Sequence, residues 1–172
     1  EVTKKNERLT LFCMNNHGYK NLVKLISRSF LEGQVNGEPV IKKDWLTTLN
    51  EGLIALTGVE SDLGAALLNQ DIRLATENLQ FWKALFPNRY YLGITRVGKP
   101  QFQLYLPQAL ALAEEHSIPV VATNDIRFLQ QEDFEAHEAR VCIQEGVVLD
   151  DPNRSKNYTD QQYFRTQVEM AE

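Results

Sequence analysis

A chain of 172 residues, 43% apolar and 24% charged, is long enough for one domain with a real hydrophobic core. Its net charge of -5 argues against a free-standing nucleic-acid grip, which needs a basic surface. No apolar run approaches the ~20 residues of a membrane span, and the charged start from Glu1 to Arg8 is not a signal peptide.

Cys13 and Cys142 lie far apart in apolar segments and read as buried free thiols of a reducing, cytoplasmic compartment. The first residue is Glu1, not methionine, and the last, Glu172, falls inside a helical pattern. Both features suggest a piece of something larger.

In chain order, Leu9 to Met14 is nearly all apolar and reads as a strand buried on both faces. After the turn Asn15-Asn16-His17-Gly18, an amphipathic helix runs to Glu32. Its apolar stripe is Tyr19, Leu22, Val23, Ile26 and Phe30, and Gly33 ends it. Residues 34–43 read as a polar loop, and Asp44 as the N-cap of a short helix, Trp45 to Asn50. Leu53 to Thr57 is a short buried strand, and Ser61-Asp62 starts the next helix. Asp71 caps a helix reaching Phe86, with Ile72, Ala75, Leu79, Trp82 and Phe86 as its stripe.

Arg89 to Arg96 is the third strand. Pro100 then opens a helix striped by Phe102, Tyr105, Leu106, Ala109, Leu110 and Ala113, with a kink expected at Pro107. The run Ile118 to Ala122 is a buried parallel strand, so Asn124 and Asp125 stand at its carboxyl end, where α/β folds usually build their sites. Asp133 reads as the N-cap of a helix to Glu145, closed by Gly146. Asp150 to Tyr158 is an irregular linker, and a last helix begins near Thr159 or Asp160. Strands alternating with helices mean an α/β fold, a parallel sheet with helical crossovers in an open or barrel-like form. Four strands are few for a closed barrel.

Residue chemistry alone names no catalytic centre. His17, His116 and His137 form no ligand-spaced pair, and His137 reads as a half-buried structural residue. Two cysteines without a Cys-x-x-Cys make no zinc site. No Gly-x-Ser-x-Gly elbow and no phosphate-cradling glycine loop occur, since Gly58 and Gly64 are too widely spaced. The paired carboxylates Glu114-Glu115, Glu132-Asp133 and Asp150-Asp151 read as solvated faces and caps. Asn124-Asp125 by itself could be no more than a turn.

Longer stretches are more specific. Pro119 to Phe128 (Pro-Val-Val-Ala-Thr-Asn-Asp-Ile-Arg-Phe), Asp133 to Glu138, Leu149 to Pro152, Asn157 to Tyr163 and Glu169-Met170 resemble the replicative DNA polymerase III alpha subunits of bacteria. Upstream, Asn15 to Leu22 and Leu49 to Ile54 are similar to the same family in the same order. The resemblance runs from about Leu9 to the end. It implies the family's PHP domain, a distorted barrel of seven strand–helix units, with residues 1–149 as an incomplete PHP-type unit whose first strands lie before Glu1. Residues 150–172 would be a linker and the start of a following helix.

Active PHP domains resemble metal-dependent phosphoesterases, with His, Asp and Glu ligands at strand ends. The resemblance implies an Asp-x-His after the last strand, and here the place reads Asp125-Ile126-Arg127. A guanidinium cannot coordinate a cation. Arg8 stands where many relatives have histidine, and Gly93 where they often have glutamate. The expectation is therefore a degenerate, non-catalytic scaffold that holds no metal and docks the proofreading exonuclease subunit. Asp125 and Arg127 would be the ion-paired remnant of the ancestral site. The polymerase's magnesium would be bound in a palm domain beyond Glu172, and DNA and the other holoenzyme subunits would be met through the parent. The competing expectations are a metal-dependent PHP phosphoesterase or 3'-5' exonuclease, and an unrelated α/β domain. The low histidine count disfavours the enzyme, since a multi-metal site needs several neutral imidazoles.

Overall fold

The computed structural model describes residues 7–171. Four strands form one sheet in the order β1-β4-β5-β6: β1 (Thr10–Cys13), β4 (Leu53–Thr57), β5 (Tyr90–Thr95) and β6 (Val120–Thr123). β4, β5 and β6 run parallel, as the strand–helix alternation requires. β1 is antiparallel to β4, against expectation. Helix α1 (Asn16–Glu32) carries the chain away. A hairpin of β2 (Gln34–Val35) and β3 (Glu38–Pro39) turns it, and α2 (Lys43–Leu49) brings it back to the end where β1 stopped. β4 therefore starts beside Cys13, paired to Leu53, and must run the other way. The hairpin occupies part of what the composition suggested was plain loop.

α3 (Asp62–Leu68) and α4 (Ile72–Leu85) are capped as their sequences indicate. The Ser61 hydroxyl accepts the Gly64 N–H at 3.1 Å, and the Asp71 carboxylate accepts the Leu74 N–H at 2.9 Å. Asp44 is not an N-cap; it lies in the first turn of α2, after Lys42. α5 (Pro100–His116) is one helix containing Pro107 and packs on β5 and α3. α6 (Phe134–Glu145) ends at Gly146, whose φ of +70° is the left-handed conformation a glycine C-cap supplies. Asp133 stands at its N-cap position as expected, but its side chain bonds no N–H of the helix. Asp133 closes a short 3-10 turn by accepting the Gln130 N–H at 3.0 Å. The last helix, α7 (Gln167–Ala171), begins well after the expected Thr159 or Asp160, and residues 159–166 are irregular.

Cross-strand register divides the sheet into two faces. Leu53, Ala55, Tyr90 and Leu92 point into the core, where they meet Leu25, Leu63, Leu79, Trp82, Phe86 and Tyr105. Each fully buried large side chain there contributes roughly 1.5–3 kcal/mol. The opposite face carries Phe12, Ile54, Leu56, Tyr91, Gly93 and Val121 and is left half-open, Phe12 at 52% and Val121 at 39% exposure. β1 is thus not the strand buried on both faces, nor β6 the buried strand, that their composition suggested, because each borders the sheet with one partner among the described residues. Cys13 on β1 is accordingly exposed, while Cys142 is buried; both are free thiols.

α1 also departs from its pattern. Its buried face is Gly18, Asn21, Leu25 and Ser29, while Tyr19, Val23, Ile26 and Phe30 are exposed. Close packing explains the choice. A Cβ on Gly18 would stand 1.9 Å from the Gly52 carbonyl oxygen. The Asn21 amide donates to the Glu51 carbonyl at 3.0 Å, and Asn15 caps the helix through Gly18 N–H at 2.9 Å. Two of the stretches that carry the family resemblance, 15–22 and 49–54, meet in this one joint.

Candidate functional site

The three parallel strands end at one edge, and β1, being antiparallel, begins there. At β6 the Thr123 and Thr95 hydroxyls bond each other at 2.8 Å, and the Asn124 amide donates to the Tyr163 carbonyl at 2.7 Å. Asp125 follows. Its Oδ1 meets Arg127 Nη2 at 2.8 Å, and its Oδ2 meets the Gln162 amide at 2.7 Å and Lys99 Nζ at 3.4 Å. Both cations also lie over the Tyr158 ring, Lys99 at 5.4 Å and Arg127 at 5.6 Å. A cleft of about 680 Å³ opens beside this cluster, bordered by Thr95, Arg96, Phe102, Asn124 and Arg165.

Asp125 and Arg127 are therefore brought together as an ion pair. The other two positions singled out by sequence lie apart from them. Arg8 pairs with Glu60 at 3.0 Å. Gly93 lies in mid-strand on the half-open face, where a Cβ would approach the Thr57 carbonyl oxygen to 3.2 Å. A PHP-type metal cluster does not fit this donor set. The Asp125 oxygens are taken by two cations and an amide, and Gly93 offers no ligand. Among the described residues no three His, Cys, Asp or Glu side chains are arranged to hold an ion.

A second polar cluster adjoins the first on α6. His137 is buried, with Phe128 at 5.4 Å and the Tyr158 ring edge-on at 4.6 Å. Its Nδ1 lies 3.3 Å from Arg140 Nη2, and Nε2 is buried without a partner among the described residues. Burial holds its pKa below the ordinary imidazole value, and the Arg140 and Arg127 charges push the same way against Glu138. Glu138 pairs with Arg154 at 2.6 Å, and both side chains are at least nine-tenths buried. His17 is an exposed neighbour of Glu51 at 3.5 Å. A second buried carboxylate, Asp62, takes the Trp82 indole N–H at 2.9 Å, the Leu63 N–H at 2.8 Å and the Lys43 ammonium.

Lys99, Tyr158 and Gln162 were not singled out as site residues. They are 26 to 37 positions from Asp125, or without any motif of their own. A usable signal was that Asn157 to Tyr163 belongs to the stretches resembling the family.

The PHP domain family profile matches residues 1–97, more than half of the chain. The chain belongs to the PHP domain family. The matched residues span β1 through β5; β6, Asp125 and Arg127 of this PHP domain lie beyond them. The chain is also similar to curated proteins named DNA polymerase III subunit alpha. That of Pseudomonas fluorescens is 49% identical over 166 residues, 96% of this chain. That of Escherichia coli K12 is 47% identical over 165 residues, 95% of this chain, and that of Haemophilus influenzae 43% over 164, also 95%. In each case the chain spans 14% of the relative's length. No helix among the described residues is long and apolar enough to cross a membrane.

Proposed function

We propose that this PHP domain is part of a bacterial replicative DNA polymerase alpha subunit, a cytoplasmic replication protein, and is a non-catalytic scaffold that docks the proofreading exonuclease subunit. The observation that carries the reading is the state of Asp125: Arg127, Lys99 and the Gln162 amide occupy its carboxylate. A carboxylate used in this way ties β6, the β5–α5 connection and the 157–163 segment together. It is a structural joint and not an open ligand. Polymerase chemistry and its magnesium would belong to other parts of the parent, as would contacts with DNA and further holoenzyme subunits.

In this reading the sheet is an arc of a (βα)7-type barrel whose first strands precede this chain, and residues 150–172 connect the unit to the next part of the parent polymerase. The free edge of β1, the half-open face with Phe12 and Val121, and the outward stripe of α1 support it. These are the surfaces a preceding strand–helix unit would cover.

The test is elemental analysis of the purified protein after equilibration with zinc and manganese and dialysis. Less than a stoichiometric metal ion, together with measurable binding of the exonuclease subunit by calorimetry, is the expected result. One or more ions per chain would overturn the scaffold reading in favour of a metal-dependent phosphoesterase or 3'-5' exonuclease.

A further inference from the structure

Residues 159–164 cross the carboxyl edge of the sheet without regular structure, and polar contacts hold them there. Gln162 is 0% exposed, and its hydrogen-bonding groups are all engaged. Its amide nitrogen donates to the Asp125 carboxylate at 2.7 Å and to the Asp125 carbonyl at 3.2 Å. Its side-chain oxygen accepts the Thr159 N–H at 2.9 Å, and its carbonyl accepts the Arg127 N–H at 2.8 Å. Thr159 Oγ1 donates to the Val97 carbonyl at 2.5 Å, and Tyr163 forms a single parallel bridge to Phe128.

Besides the ring contacts of Tyr158, the approach to this segment is held by Arg154. Arg154 Nη1 meets Glu138 at 2.6 Å, and its Nε donates to the Leu149 carbonyl at 2.8 Å. Phe164, the apolar residue at the far end, is 63% exposed. A segment that buries little apolar surface opens at lower free energy than the core it covers. A buried ion pair is also the kind of contact whose loss on one side is felt strongly.

We propose that residues 159–164 form a releasable strap, in which the Gln162 amide plugs the Asp125 carboxylate and the Glu138–Arg154 pair is the latch. While the strap is docked, the Gln162 amide occupies Asp125 Oδ2 and leaves the carboxylate only 26% exposed. When it lifts, Asp125, Lys99 and Arg127 face solvent together. The proposal shares the Gln162–Asp125 contact with the scaffold reading, but it is tested by exchange rates and not by metal content.

Amide hydrogen exchange followed by NMR tests it on the wild-type chain and on the variants Glu138→Gln and Gln162→Glu. The first leaves Arg154 buried without its counter-charge, and the second sets a carboxylate against Asp125. The Arg127 and Phe164 amides report the strap, being bonded to Gln162 and Phe128 carbonyls; the Leu92 amide, bonded to Pro119 in the sheet, reports the core. In the wild type the strap amides should exchange about tenfold or more faster than Leu92. Both variants should speed them by about tenfold again with Leu92 unchanged. Equal exchange of strap and core in the wild type would overturn the proposal even if a variant failed to fold. So would variants that leave the strap amides unchanged, or that speed strap and core alike.

Discussion

At the residue scale, the ion pair at Asp125 organises the edge of the sheet without contributing much free energy. The Arg127 side chain is 40% exposed and that of Asp125 26% exposed, and Lys99 remains when Arg127 is removed. Solvent screening keeps such pairs near 0–1 kcal/mol. Arg127→Ala should therefore cost no more than about 1 kcal/mol in urea unfolding, and a loss of several times that would show a more isolated pair than the geometry describes.

Two buried phenols make a sharper contrast. Tyr90 bonds the Thr57 hydroxyl at 2.8 Å, whereas the Tyr105 hydroxyl is buried without a partner among the described residues. Tyr90→Phe leaves Thr57, itself 0% exposed, unsatisfied and should cost about 1–3 kcal/mol. Tyr105→Phe removes an unsatisfied group and should leave stability level or raise it. Burial pushes both phenol pKa values well above the ordinary range. The folded state therefore keeps protons that the unfolded chain gives up above pH ~10, so stability is full below that pH and falls as pH rises beyond it. Alkaline unfolding curves should show a shallower decline for Tyr105→Phe than for wild type.

At the scale of elements, α1 shows how far periodicity can be trusted. Its 3–4 spacing marked a helix correctly, and the helix is there from Asn16 to Glu32. Which face it buries was decided by Gly18 and Asn21, small or polar residues that allow the backbone to approach Gly52 and Glu51. Hydrophobic patterning gives such residues no weight. Gly18→Ala forces a Cβ into backbone, where no side chain can swing aside, and should destabilise by at least ~3 kcal/mol, as steric overpacking does at its upper end. Circular dichroism melting would read it. A melting temperature within a degree of wild type would mean that the α1–β4 joint opens without cost. Caps were more legible: Ser61, Asp71 and Gly146 act within one turn of themselves, so local sequence suffices.

At the scale of the whole molecule, exposed apolar residues are spread over many elements, and β1 with α1 carries several of them. Phe12 and Met14 on and beside β1 join Tyr19, Val23, Ile26 and Phe30 on α1, each more than 40% exposed. Exposed apolar surface on an isolated domain promotes association. Light scattering across a concentration series should show the chain self-associating, and Val23→Lys with Phe30→Lys should return it to monomer. A clean monomer at all concentrations would indicate that this surface is closed within the chain itself.

Local sequence sufficed for features that depend on neighbours a few positions away. Strand–helix alternation, most helix starts and stops, and the parallel run β4-β5-β6 come from local spacing and caps. The Asp125–Arg127 pair was expected from the family resemblance and not from local spacing. Tertiary contacts set the direction of β1, the outward face of α1, and the docking of residues 159–164 where a helix was expected. Each rests on residues distant in sequence: Cys13 with Leu53, Gly18 with Gly52, Gln162 with Asp125. Free energies of such contacts come from close approach and mutual burial, which exist only once the chain has closed its loops.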